Sequence, residues 1–260
     1  MRAPDREDAS RPVSIEARGL GKRFQLGEHR NLGLTVRRLL RKTDADSPER
    51  LQALSQVDFA VHRGEAVGIV GVNGSGKSTL LQILAGTTLP TSGAMRVHGR
   101  VIPLLAVGLN FHPELTGREN VTLFASSLGI PRRTIEARMD AVTEFAELER
   151  HMDTPVKRFS SGMNSRLSFS IGMQFPADIY VFDEVLAVVD GEFQARCLDE
   201  IKRLHAEGRT IIFVSHSLDQ VASVCDSVIW LERGAVKRIG PTQQVLTAYQ
   251  AALSDPTGVT

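Results

Sequence analysis

The chain has 260 residues, and the 42% that are hydrophobic can bury the core of one large domain or of a domain with a subdomain. Its 31 basic and 30 acidic residues leave a net charge of +1, so no global field attracts nucleic acid or an anionic membrane. No apolar run approaches the roughly 18 residues of a membrane helix, and the polar N-terminus lacks the apolar core of a signal peptide. We therefore expect a folded, globular protein that needs a partner if it works at a membrane.

The N-terminal part of the chain combines β-type runs with one arginine-rich segment. Residues 1–12 are polar and are expected to form a disordered tail. VSIEARGL and LSQVDFAVHRGEAVGIVG carry the β-type runs, and the turn-like residues 63–65 divide the second stretch into two strands. The segment from about 27 to 50 favours either a solvated surface helix or a dock for a partner or lipid headgroups. The apolar stripe of that helix would consist of Leu34, Val36, Leu39 and Leu40.

The C-terminal half alternates strand-like and helical patterns. DIYVFDE and TIIFVSH are compact apolar runs, as buried parallel strands should be. SVIWLERGAVKRIG predicts a hairpin around Arg233-Gly234, and VLTAYQAAL predicts a closing helix. Cys197 and Cys225 lack metal-like spacing, so we expect buried, reduced thiols and a cytosolic compartment. The pattern predicts an α/β core that carries an antiparallel β-subdomain.

A glycine-rich stretch, GVNGSGKST at residues 71–79, follows the apolar run EAVGIV and precedes a helical pattern. This is the context of a phosphate-binding loop, in which backbone N–H groups and a helix N-terminus face phosphate oxygens. Lys77 should reach the β- and γ-phosphates, and the Ser78 hydroxyl should ligate Mg²⁺. The residues expected to bind nucleotide in this stretch are Gly71, Asn73, Gly74, Ser75, Gly76, Lys77, Ser78 and Thr79.

Two further strand patterns end in polar side chains. IYVF ends at Asp183-Glu184, and two buried acids in sequence would be costly as core residues. Asp183 is expected to hold Mg²⁺, directly or through water, and Glu184 to polarise the water that attacks the γ-phosphate. TIIFV ends at Ser215-His216. A single histidine after a strand is more often structural. The carboxyl ends of strands, however, form the ligand-binding edge of an α/β sheet. This position favours a catalytic role for His216, as for Lys77.

A serine-glycine turn at FSSGM, residues 159–163, precedes a helical pattern. By itself it is a helix cap. Together with the phosphate loop, the acid pair, Asp190 and His216, it resembles the signature motif of ATP-binding cassette (ABC) ATPases, whose common form is LSGGQ. The resemblance implies a P-loop NTPase ABC cassette over 13–250, with a RecA-like core, an antiparallel β-subdomain and a helical subdomain at about 108–175, followed by a tail at 251–260.

The resemblance to ABC ATPases also implies a head-to-tail dimer that binds ATP and Mg²⁺. In that family the signature of one chain faces the γ-phosphate held by the other, so Ser160 and Gly162 would face the phosphate bound by Lys77 of a second copy. Asp190 would lie near the dimer contact. Phe24 matches the family's aromatic residue that stacks on adenine.

Several longer stretches resemble the ATPase subunit of bacterial ABC exporters of O-antigen, capsule and teichoic acid: GRVIPLL, FHPELTGREN, VKRFSSGM, DEVLAVVDGEFQARCL and FVSHSLD. This group implies a motor at the cytoplasmic face of the inner membrane. Its implied partners are two copies of an integral membrane permease, a second copy of itself and a lipid-linked glycan, with no nucleic acid. The chain stops at Thr260 without the carbohydrate-binding domain of some members, so glycan-end recognition is expected elsewhere.

A glutamine that most ABC ATPases carry between phosphate loop and signature is missing, since none occurs between Gln82 and Gln174. The polysaccharide exporters share this loss, often with a glutamate around the position of Ala106. We therefore interpret residues 104–117 as the coupling surface for the permease, with Phe111 buried either at that interface or inside the helical subdomain.

Two alternative functions use the same cassette. One keeps the motor and changes the cargo to a lipid or drug. The other is a soluble ABC ATPase of DNA maintenance, which usually inserts a long coiled coil between phosphate loop and signature. The stretch between Lys77 and Ser160 is too short for that insertion and has no heptad pattern.

Overall fold

The computed structural model describes residues 11–25, 50–105, 111–183 and 191–254. The arginine-rich segment and its helical stripe therefore lie outside the described residues, as do residues 1–10 of the predicted tail. The described strands are β1 (Val13–Gln25), β2 (Arg50–His62), β3 (Ala66–Val70), β4 (Ser92–Val97), β5 (Val101–Leu105), β6 (Ile179–Asp183), β7 (Thr210–Val214), β8 (Ser227–Glu232) and β9 (Ala235–Pro241). The described α-helices are α1 (Lys77–Leu84), α2 (Gly117–Ser127), α3 (Arg132–Ala146), α4 (Ser161–Gln174), α5 (Gly191–Ala206), α6 (Leu218–Val224) and α7 (Thr242–Ser254), with a 3₁₀ turn at Val156–Arg158.

The central sheet has six strands in the order β5-β6-β7-β3-β8-β9. Its first five strands run parallel, and β9 is antiparallel to β8. Every residue of β3 (AVGIV) and β7 (TIIFV) is buried, because helices and the second sheet cover both faces of these strands. The predicted buried parallel strands are confirmed. So is the hairpin of β8 and β9, whose turn residues Arg233 and Gly234 both have positive φ angles, 49° and 78°.

The second sheet is antiparallel, with the order β2-β1-β4. It confirms the predicted β-subdomain, although β1 continues to Gln25, beyond the predicted VSIEARGL run. Alternate side chains of β1 and β2, such as Ile15, Leu20 and Leu54, are buried against α1 and one face of the central sheet. The phosphate-loop helix is thus packed between the two sheets.

On the other face of the central sheet, α4 packs against β5, and α2 and α3 pack against α4, in the region where a helical subdomain is expected. Their apolar side chains, among them Val121, Met139 and Leu167, join the larger of the two clusters of buried residues. None of the described helices is long and apolar enough to cross a bilayer. Cys197 and Cys225 are both buried thiols, as predicted, and burial raises the pKa of the Cys225 thiol.

Helix α4 lies close to strand β5 at a single glycine. A Cβ atom on Gly172 would lie 2.2 Å from Cδ2 and 2.7 Å from Cγ of the buried Leu104. The helix therefore approaches the sheet at a distance that a larger residue would not permit.

We predict that Gly172→Ala lowers the free energy of unfolding by about 1–3 kcal/mol, the usual cost of overpacking a core. The sign is informative, because Gly→Ala within a helix ordinarily stabilises it by about 1 kcal/mol. Gly191→Ala is the matched control, since an added Cβ there meets no atom within 4 Å. Denaturant unfolding followed by circular dichroism measures both. A Gly172→Ala protein as stable as the control would contradict this account of the packing.

Candidate nucleotide-binding site

Three adjacent strands bring the predicted site residues to one edge of the central sheet. The order β6-β7-β3 is continuous, and the three strands are parallel. The phosphate loop follows β3, Asp183 ends β6, and Ser215-His216 follow β7. Asp183 is paired in register with Val214, so the acid and the histidine turn leave neighbouring strands at the same level. Glu184 and Asp190 lie outside the described residues.

The phosphate loop occupies residues 71–76 between β3 and α1. Gly74 and Gly76 have φ angles of 79° and 105°, which side-chain-bearing residues rarely adopt. At Gly76 a Cβ atom would also lie 2.7 Å from the carbonyl oxygen of Ala53 in β2. The positive φ angles therefore favour glycine at both positions, and the close approach of Ala53 also requires it at residue 76.

A backbone link that the sequence did not predict anchors this loop. Gly234 N–H donates to the carbonyl oxygen of Ser75 at 3.0 Å, and Ser55 N–H donates to the carbonyl oxygen of Gly234 at 2.8 Å. The turn of the β8–β9 hairpin thus joins the phosphate loop to β2. The Arg233-Gly234 turn was predicted, but its contact with the loop depends on strand order, which local sequence does not encode.

Lys77 is 8% exposed, and its ammonium group donates to the carbonyl oxygens of Gly71 at 2.7 Å and Val72 at 3.3 Å. A buried cation of this kind is suited to phosphate oxygens, which are stronger acceptors than carbonyl groups. Ser75 is 2% exposed, and its hydroxyl has no hydrogen-bond partner among the described residues. The loop therefore has both a cation and an unpaired buried hydroxyl.

The oxygen groups expected to hold Mg²⁺ are present beside the loop. Ser78 is the exposed second residue of α1, and Asp183 is half-buried at the end of β6. Hydroxyl and carboxylate oxygens are the ligands that Mg²⁺ prefers, together with water and phosphate. Ser78 and Asp183 therefore fit the predicted Mg²⁺. Of the other predicted loop residues, Asn73, before Lys77, is exposed and Thr79, after it, is half-buried.

The turn after β7 is fixed by side-chain hydrogen bonds. Ser215 Oγ donates to Gln220 Oε1 at 2.7 Å and accepts from Ser217 N–H at 3.1 Å. Ser217 in turn caps helix α6. His216 is exposed within this ordered turn, so its ring is held near the edge of the sheet without being part of the core.

The signature turn begins helix α4 as its pattern predicts. Ser160 is the N-cap residue, and its hydroxyl accepts from Met163 N–H at 3.2 Å. Ser160 and Ser161 are exposed and Gly162 is half-buried, so the helix N-terminus is open to the surface. Phe24 is half-buried near the end of β1, with the Lys22 ammonium 5.0 Å from its ring centroid. The cross-dimer contact and the adenine stacking stay predictions.

The loop that precedes α2 is built around one buried amide. Residues 106–110 lie outside the described residues, and the description resumes at Phe111. Asn120 is 1% exposed, and its Oδ1 accepts from His112 N–H at 2.7 Å. Its Nδ2 donates to the carbonyl oxygens of His112, Leu115 and Thr116. Phe111 is half-buried and packs against the larger core cluster, which favours the internal packing alternative for this side chain.

The same loop pairs with the segment that leads to the signature. Val156 N–H donates to Leu115 O, and Lys157 N–H donates to Pro113 O, both at 3.0 Å. Lys157 also forms an ion pair with Glu114, with 2.5 Å between the charged atoms. The 3₁₀ turn at Val156–Arg158 then runs directly into the signature residues. Residues 111–116 are therefore mechanically connected to the start of α4.

Comparison with known proteins places these features in a family. Residues 54–187 match the model of the ABC transporter family. The chain is 44% identical over 202 residues to the O-antigen export system ATP-binding protein RfbB of Klebsiella pneumoniae, which covers 78% of this chain and 82% of that protein. It is 42% identical over 197 residues to the teichoic acids export ATP-binding protein TagH of Listeria monocytogenes, covering 76% and 58% respectively. An RfbB of Myxococcus xanthus is 38% identical over 234 residues, covering 90% of this chain and 54% of that protein.

Solved structures agree on the fold. An ATP-binding subunit of an ABC transporter superposes with a TM-score of 0.73 at 23% identity, over 91% of this chain and 93% of that one. An ATP-binding cassette described as a dimer in a post-hydrolysis state with ADP and phosphate superposes with a TM-score of 0.72 at 22% identity, over 88% and 98%. The predicted fold class and the family resemblance are confirmed: the chain belongs to the ABC transporter family, as one of its ATP-binding subunits.

Proposed function

We propose that this chain is the ATP-hydrolysing motor subunit of an exporter that moves a lipid-linked polysaccharide, an O-antigen or a related glycan, across the inner membrane. The observation that carries this proposal is the 44% identity over 202 residues to an O-antigen export ATP-binding protein, together with the similar identity to teichoic acid export proteins. The chain acts at the cytoplasmic face of that membrane, as a peripheral subunit bound to a permease.

ATP binds at the carboxyl edge of β3, β6 and β7. Lys77 exchanges its two carbonyl acceptors for β- and γ-phosphate oxygens, and Ser78 with Asp183 would hold Mg²⁺. When bound by these residues, Mg²⁺ would supply positive charge against the phosphates. Glu184 orients the attacking water and accepts its proton, and His216 contacts the γ-phosphate side of the site.

A second copy of the chain completes the site. The open N-terminus of α4 presents Ser160 and Gly162 toward the γ-phosphate that Lys77 binds in the other copy. The family resemblance assigns Asp190 to the contact between the copies and Phe24 to stacking on adenine. ATP binding closes this dimer, and hydrolysis reopens it.

The permease, in two copies, contacts residues 104–117. The support for this step is the connected loop 111–116, whose shape Asn120 fixes and whose backbone is paired with residues 156 and 157. A displacement of the loop is passed to the start of α4 because two backbone hydrogen bonds of 3.0 Å and the Lys157–Glu114 ion pair join the two segments. No glutamine is needed in this region for the mechanical step.

The export function is tested by purification of this chain together with its partner permease. We predict that the complex retains a lipid-linked glycan, identified by mass spectrometry of the extracted lipid, and that its ATPase rate rises on adding that lipid. A complex that hydrolyses ATP, retains only phospholipid and is stimulated only by phospholipid would contradict glycan export and indicate a lipid exporter instead.

We predict that Glu184→Gln leaves ATP binding intact but slows hydrolysis on the order of 10²- to 10⁴-fold, since it removes a positioned general base. The variant accumulates as an ATP-bound dimer, visible by size-exclusion chromatography. Lys77→Ala is the comparison variant, because it loses ATP affinity itself. A Glu184→Gln rate within about threefold of wild type would remove Glu184 from its role.

We predict that Asn120→Ala keeps basal hydrolysis of the isolated subunit within about threefold while permease-stimulated turnover falls about tenfold. The change leaves three loop carbonyl groups and one N–H without their side-chain partner, so the loop loses its shape. Thr122→Ala in the same helix is the control, since the Thr122 hydroxyl donates to Arg118 O on the exposed face. Equal losses of basal and stimulated turnover would indicate a general structural role instead.

A further inference from the structure

One carboxylate joins the end of α3 to two other helices. Glu147 follows α3, and its two carboxylate oxygens accept hydrogen bonds from Arg166 of α4 and Arg196 of α5. The three side chains are 45%, 24% and 39% exposed, so the pairs are partly shielded from water. Charge-assisted bonds that share one acceptor group form a network, which contributes more than an isolated surface pair.

Two phenylalanine rings support the arginines. The Arg166 guanidinium lies 5.1 Å from the ring centroid of Phe193, and Arg196 lies 5.1 Å from Phe145 and 5.8 Å from Phe193. The rings contact each other edge-to-face at 5.6 Å. Each guanidinium is therefore fixed by a carboxylate on its edge and an aromatic ring on its face.

The backbone at Glu147 is in the left-handed region, with φ 56° and ψ 43°. Its N–H and that of Leu148 cap the last turn of α3 by donating to Glu144 O and Thr143 O. Glycine is the residue usually favoured in this capping position. A glutamate here is unfavourable for the backbone. Its carboxylate offsets that cost through the hydrogen bonds to Arg166 and Arg196, which glycine could not form.

The two helices that Glu147 joins, α4 and α5, each begin at a segment with a proposed role in hydrolysis. Arg166 is in the second turn of α4, which Ser160 caps, and Arg196 is in the second turn of α5, which begins directly after residues 184–190. Phe193, between the arginines, is 1% exposed and also contacts Phe169 of α4 at 6.2 Å. A shift of α4 relative to α5 must therefore change the contacts of Glu147.

We infer that Glu147 is a positioning residue for ATP hydrolysis. With Arg166 and Arg196 it holds α4, the helix that begins at the signature turn, in a fixed position relative to α5, the helix that follows residues 184–190. This inference rests on the proposed function, because it assigns a mechanical role to the relation between Ser160 and residues 184–190. The residue touches neither nucleotide nor Mg²⁺ in this role. It acts through the two helix starts.

The test compares Glu147→Gln, Glu147→Gly and the wild-type chain in complex with the permease. Glutamine keeps the size of the side chain but offers one acceptor oxygen, so one of the two arginine hydrogen bonds to residue 147 is lost. We expect the maximal hydrolysis rate to fall roughly 3- to 30-fold, while the ATP affinity of the isolated subunit changes less than about twofold. Glu147→Gly also relaxes the left-handed backbone, so it is expected to lose rate without losing thermal stability.

Glu136→Gln is the matched control, because it breaks the exposed Arg132–Glu136 pair of the same helix. It is expected to leave rate and stability unchanged. A Glu147→Gln rate within about twofold of wild type overturns the inference. So does a loss of rate that matches a loss of ATP affinity and melting temperature in both Glu147 variants, since that pattern is a general folding defect.

Hydrogen exchange distinguishes failure of this inference from failure of the proposed function. In the Glu147→Gln protein without nucleotide, we expect faster amide exchange in the first turns of α4 and α5 and unchanged exchange in α1. Unchanged exchange in α4 and α5 overturns the inference even if the wild-type complex is active. Faster exchange there supports the connection even if the wild-type complex hydrolyses no ATP, in which case only the proposed function fails.

Discussion

The common direction of β3, β6 and β7 is the constraint on which the site depends. Parallel strands end at one edge of the sheet. The strand direction alone therefore brings the phosphate loop, Asp183 and the turn at His216 to that edge. The strands are buried on both faces, so the edge is rigid. A cation, a hydroxyl and a carboxylate can then be held at the same edge of the sheet.

The second sheet and the helical region attach function to that edge in different ways. The β8–β9 turn links the phosphate loop to β2 through backbone bonds at Ser75 and Ser55, so the loop is fixed on the side of the antiparallel sheet. On the other side, the loop held by Asn120 and the junction at Glu147 both lead to the signature helix. The molecule thus has a phosphate loop and a separately supported signature turn, as the proposed closing dimer requires.

Sequence pattern predicted the elements that local chemistry determines. The glycine-lysine loop, the apolar strands and the Arg233-Gly234 hairpin could be placed from spacing and residue type alone. Strand β1 continued past its predicted end because its pairing with β2 persists through Lys22 and Arg23, where apolar alternation has stopped. Phe111 could have been an interface or a core residue, and only tertiary packing distinguishes the two. The contacts of Glu147 could not be predicted, since its partners lie on helices far away in sequence.

The most direct test of the account is ATP-driven transport by inverted membrane vesicles that contain this chain, its permease and the lipid-linked glycan on their outer face. The glycan should become protected from an added glycosidase only when ATP and an active copy of the chain are present. Protection that proceeds at the same rate without the chain, or with ATP withheld, would contradict the central claim that this subunit drives polysaccharide export.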